Sequence, residues 1–103
     1  MALTLSDKTK ELVQILFPED DRKLVENILY TEAADNIPFY EESTPREMER
    51  IRFSILKLSK GKLDLLDEAL TLAKIDWRDL FTAAKFGQPR DHIKWYDDIV
   101  ENT

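Results

Sequence analysis

Apolar positions along this chain recur at the helical period of about 3.6 residues, and short stop and start signals cut them into five or six segments. The first helix is predicted over Asp7–Phe17, with Ser6 as N-cap and Leu12, Val13, Ile15 and Leu16 as its apolar surface. Pro18 ends it and suits the first position of a second helix, whose Glu19, Asp20 and Asp21 sit where the helix dipole favours negative charge. Leu24, Val25, Ile28 and Leu29 form the core stripe of that helix, which is expected to fray out by Asn36, ahead of Pro38. Residues 36–44 are the one irregular stretch, with Phe39 and Tyr40 expected to pack back onto the core.

Thr44-Pro45-Arg46-Glu47 opens a third helix as a capping box with proline at the first helical position, and Gly61 closes it as a left-handed C-cap residue. The fourth helix is predicted over Lys62–Ile75. Asp76 reads as the N-cap of a fifth that starts at Trp77 and ends at Gly87, and Pro89–Val100 forms a last short helix. Leu63, Leu65, Leu66, Ala69, Leu70, Leu72 and Ala73 fill one half of helix four, a width that suits a central element or one that also faces a second subunit. Trp77, Leu80, Phe81 and Ala84 make an ordinary core stripe, so helices four and five are expected to fold back as a tight hairpin. The predicted fold class is all-α: a compact single-domain bundle of five or six short helices over residues 1–103, without a sheet.

A length of 103 residues suits one domain, and the lack of cysteine leaves neither a disulfide framework nor a thiolate metal site. The opening MALTLSDKTKELV has no basic region followed by an apolar one, so no signal peptide is expected. No apolar run approaches the roughly 20 residues of a membrane span. The expectation is a soluble cytoplasmic protein that does not engage a membrane.

Charge changes the picture more. The net charge of −6 is unevenly placed: residues 1–45 hold four basic groups against ten acidic ones, while residues 46–103 balance at eleven of each. Between 46 and 62, six cations face only Glu47 and Glu49. Helix three therefore carries two faces. Met48, Ile51, Ile55 and Leu58 form its core stripe, and Arg46, Arg50, Lys57 and Lys60 project on the opposite side with Phe53 among them. A cationic stripe around an aromatic ring suits an acidic protein surface or phosphates, and these five residues are the candidate partner-binding face. The other reading of the same face packs Phe53 under the N-terminal helices and pairs the cations with acids from residues 11–35. Arg52 falls towards the apolar side, either snorkelling or paired with a buried carboxylate.

Catalytic chemistry finds no foothold. His92, the sole histidine, shares the apolar side of the last helix with Trp95, Tyr96 and Ile99 and reads as a partly buried structural residue, without a second metal ligand one turn away. Ser6, Ser43, Ser54 and Ser59 lack an adjacent base, and two glycines cannot build a phosphate-cradling loop. The hairpin of helices four and five invites a helix-turn-helix reading. Its would-be recognition helix, Asp76–Phe81, offers one arginine between two aspartates and a run of core residues, which is poor equipment for base edges. No catalytic residue, cofactor, metal or small-molecule substrate is expected.

Leu58-Ser59-Lys60-Gly61, the Ala73-Lys74 step and Asp76-Trp77-Arg78-Asp79 resemble a recurrent segment of small bacterial helical proteins of similar length. The resemblance covers roughly residues 50–96 and implies a helical fold and a bacterial origin. It brings no activity and no functional residues. The functional expectation is a small non-enzymatic protein–protein interaction module, of inhibitor or immunity type or self-associating as a homodimer. The alternative is a nucleic-acid-associated accessory protein using the basic face of helix 45–60.

Overall fold

The computed structural model describes residues 5–33, 45–88 and 90–102; the side chains of residues 45–47 lie outside that description. Among the described residues the chain forms six helices and no strand: α1 (Asp7–Leu16), α2 (Glu19–Glu32), α3 (Pro45–Ser59), α4 (Leu63–Ile75), α5 (Trp77–Ala84) and α6 (Asp91–Glu101). The fold is all-α, with a radius of gyration of 12.3 Å. No helix among the described residues is long and apolar enough to cross a membrane. The expected packing of Phe39 and Tyr40, the capping box at Thr44 and Glu47, and the Pro38 stop all lie outside the described residues.

Local caps set several of the boundaries. The Ser6 hydroxyl accepts the Thr9 N–H at 3.1 Å and opens α1, and the Asp76 carboxylate accepts the Arg78 N–H at 2.9 Å and opens α5. Pro18 is the N-cap of α2, not its first helical residue, with ψ 157° and its carbonyl accepting the Asp21 N–H at 2.9 Å. The turn between α3 and α4 runs through Lys60 (φ 52°) and Gly61 (φ 76°), both left-handed.

The end of α5 departs from the sequence reading. It closes at Lys85, which takes the left-handed conformation at φ 63°, and not at Gly87. The Phe86 N–H reaches back to the Phe81 carbonyl at 2.8 Å and the Lys85 N–H to Thr82 at 3.1 Å, a Schellman ending. Burial of the Phe86 ring draws the chain inward two residues after α5 and outweighs the preference for glycine at the left-handed position.

The element at the centre is α3, which packs against α1, α4, α5 and α6. Every side chain from Ile51 to Leu56 is buried, so the helix has no open polar face along those residues. This corrects the two-faced reading of helix three, and it gives the central place, one of the two roles suggested for helix four, to α3. On α4 the buried positions are Leu66, Ala69, Leu70 and Ala73. Leu63 remains exposed, and Leu65 and Leu72 are half-buried. A single residue, Asp76, separates α4 from α5, and the two pack together as the expected hairpin.

Four helices, α1, α2, α5 and α6, end without a cation in their own last turn, and for α1, α2 and α5 the cation comes from another element. Arg22 donates from Nε to the Phe17 carbonyl at 3.1 Å and from its terminal nitrogen to Gln14 at 2.9 Å, closing α1. Arg52 of α3, 2% exposed, donates from Nε to the Ala33 carbonyl at 3.2 Å, at the end of α2. Burial pulls its pKa down to about 10, which leaves it a cation at neutral pH and matched to the negative pole of a helix. The α2 helix ends at Glu32, within the limit of Asn36 that the sequence suggests.

Candidate functional site

The five residues of the predicted basic face meet different fates. Phe53 is 0% exposed and lies beneath α6, with ring centroids 5.8 Å from Tyr96, 6.0 Å from Trp95 and 5.4 Å from His92. Arg50 lays its guanidinium 3.9 Å above the Phe81 ring and donates to the Phe86 carbonyl. Lys57 donates from Nζ to the Ala84 carbonyl at 2.7 Å and sits 4.8 Å from the Phe86 ring centre. Lys57 thus serves the last carbonyl of α5, which carries negative partial charge, and Arg50 serves the chain two residues beyond that helix. Lys60 is exposed at the end of α3, and the side chain of Arg46 is outside the described residues. Arg50, Phe53 and Lys57 therefore do not form an open stripe, and Phe53 packs beneath α6.

His92 is buried completely, deeper than its expected half-burial, edge-on to Phe53 and Phe86. Its Nε2 stands 3.9 Å from Glu49 Oε1, and the other oxygen of that carboxylate accepts the Ser6 hydroxyl at 2.7 Å. The cluster ties α1, α3 and α6 together. No group of three potential metal ligands occurs among the described residues.

Tyr96 fixes the outer edge of the same region by donating its hydroxyl to Glu11 of α1. The carboxylate beside it disfavours a phenolate and pushes the Tyr96 pKa up from 10.0 to about 12. A raised folded-state pKa stabilises the fold fully below the unfolded value, and that contribution is lost as pH rises through the folded value. Thermal stability is expected to fall between pH 10 and about 12 through this group. Tyr96→Phe should flatten that part of a melting-temperature profile, and an unchanged alkaline limb would show that the Glu11 contact carries no such linkage.

Exposed apolar side chains lie elsewhere, at Ile75, at Tyr30 and in a groove between α2 and α4. Leu66, Leu70 and Ile28 form the floor of an open groove of about 270 Å³, and Leu24 and Leu63 stand on its two walls. Leu24 is 48% exposed and Leu63 37%, although both belong to stripes that the sequence assigns to the core. One end is closed by an ion pair in which Lys74 Nζ bonds Glu32 Oε2 at 2.8 Å. The volume falls just under the roughly 300–1,000 Å³ of ordinary small-molecule sites. A trough of that size, open along its length, suits side chains projected from a partner better than an enclosed ligand. The signal in the sequence was the excess width of the apolar half of helix four. Sequence reasoning did not find the α2 wall, because Leu24 follows the same period as the buried Val25 and Leu29.

Comparison of the chain with protein-family models, curated proteins and solved structures finds no match. The fold and the site define an all-α protein with an apolar groove on its α2–α4 side.

Proposed function

We propose that the protein is a non-enzymatic protein–protein interaction module of the cytoplasm, and that it docks its partner in the α2–α4 groove. One observation carries this reading: two leucines face each other in solvent across a floor of buried leucine and half-buried isoleucine. Single exposed apolar side chains are normal on a protein surface, but a contiguous set lining one depression marks an interaction site. The basic face of α3 is a weaker candidate, since Arg50 and Lys57 already donate to the Phe86 and Ala84 carbonyls.

Site-specific photocrosslinking in the native cell tests the proposal. A photoreactive phenylalanine analogue in place of Leu24 or Leu63 should yield a discrete adduct, with another protein or with a second copy. The same analogue in place of the exposed Ala83 of α5 should not. Equal yields from all three positions, or no adduct from the groove, would overturn the assignment.

A further inference from the structure

The two walls of the groove are alike in their apolar groups and opposite in charge at one end. Leu24 of α2 and Leu63 of α4 stand towards the starts of their helices, while Glu32 and Lys74 meet at 2.8 Å towards the ends. The walls therefore run in the same direction. Both members of that ion pair remain 42% exposed at the side chain. Charges of either sign adjoin the rest of the groove: Lys23 stands beside Leu24, Lys62 beside Leu63, and Asp67 lines the α4 wall. A rim of mixed sign selects neither a polycation nor a polyanion. The main packing of α2 is on α1, and that of α4 is on α3 and α5.

From this arrangement we propose that the occupant is a second copy of this chain, applied about a two-fold axis that runs along the groove. The proposal rests on the reading that the groove is a docking site and adds what docks there. Rotation about that axis lays each wall over the opposite wall of the second copy, start over start. Glu32 then faces Lys74 of the second copy, and Lys74 faces its Glu32. The pair that closes one end becomes four charges of alternating sign. Self-complementarity of this kind is what a two-fold interface demands, because one patch must match itself. At the other end, Leu24 and Leu63 of both copies turn inward over Ile28 and Leu66, as one layer of a four-helix bundle core. The stretches Leu24–Glu32 and Leu63–Lys74 extend roughly 12–17 Å at about 1.5 Å per residue, and two helices side by side are about 20 Å wide. That face is smaller than the about 800 Å² each partner buries in a standard interface, so the dimer is weak and reversible.

Sedimentation equilibrium of the full-length protein tests the proposal. The average mass should climb from one chain towards two between roughly 10 μM and 1 mM, the range of a small interface. Leu24→Glu/Leu63→Glu, at exposed positions that keep the helical circular dichroism unchanged, should weaken association by more than about tenfold. Glu32→Lys and Lys74→Glu should each weaken it by about threefold to tenfold, because four like charges then meet. Mixing these two variants should restore it, since one copy then offers two lysines and the other two glutamates. The ion pair within each copy is broken in both variants, so recovery on mixing arises only between copies. A chain that stays monomeric at about 1 mM overturns the second copy, and a groove adduct with another protein in the crosslinking experiment then leaves the docking reading standing. Dimerisation that the leucine variant does not weaken, or that mixing does not rescue, also overturns the proposed pairing. If the groove positions give no adduct and no dimer forms, both readings fail.

Discussion

Phe53→Ala is expected to lower the stability of the protein by about 3–5 kcal/mol, the usual cost of removing a buried phenyl ring. The ring has no solvent exposure and touches Trp95, Tyr96 and His92, so it is the main apolar support beneath α6. The cavity would open between α3 and α6, and α6 is otherwise attached through few contacts, among them the Tyr96 bond to Glu11. The loss should therefore be uneven. In urea titration the midpoint falls, and hydrogen exchange under native conditions should show α6 amides losing protection ahead of α4. A loss under about 1 kcal/mol with α6 protection intact would mean that α6 does not depend on this ring.

Gly61→Ala should be nearly as damaging, for a backbone reason. Gly61 sits at φ 76°, and a methyl group there would stand 2.3 Å from the carbonyl oxygen of Leu16. That oxygen is main chain at the end of α1 and cannot rotate away as a side chain could. The left-handed conformation alone costs a non-glycine residue about 1–2 kcal/mol, and separating α1 from the α3–α4 turn adds to it, for a total of roughly 3 kcal/mol. Gly87 supplies the control, since a Cβ there meets nothing within 4 Å. Gly87→Ala should leave the melting temperature unchanged or raise it slightly by restricting the unfolded chain. Equal effects at both glycines would rule out the close approach at Gly61 as the cause.

Both substitutions bear on how much of the molecule was legible before its fold. Ser6, Asp76 and Gly61 act within a few residues of themselves, so their residue types announce the helix ends they make. Phe53 announces nothing of the kind. Its position among cations suggests an outward face, and only the placement of α6 over that side of α3 makes it interior. The same holds for Arg50, Arg52 and Lys57. Along the sequence they read as a basic helix seeking an external acid. In the fold each of them donates to a backbone carbonyl, that of Phe86, Ala33 or Ala84, between 19 and 36 residues away in the chain. A backbone carbonyl carries no residue-type signature, which is why no inspection of acidic residues would have found these partners. Lys85 illustrates the limit at a helix end, where a buried Phe86 overrode the local preference for Gly87.

What the sequence determined by itself is the all-α class, the hairpin of α4 and α5 and most helix starts, because period and capping are short-range properties of the chain. The tertiary structure alone decided that α3 is the buried centre and that its cations close other helices. It also decided that Leu24 and Leu63, indistinguishable by period from core leucines, are left facing solvent across a groove. The reason is geometric. An amphipathic stripe states that a face is apolar, but whether that face is covered depends on which helix comes to lie against it.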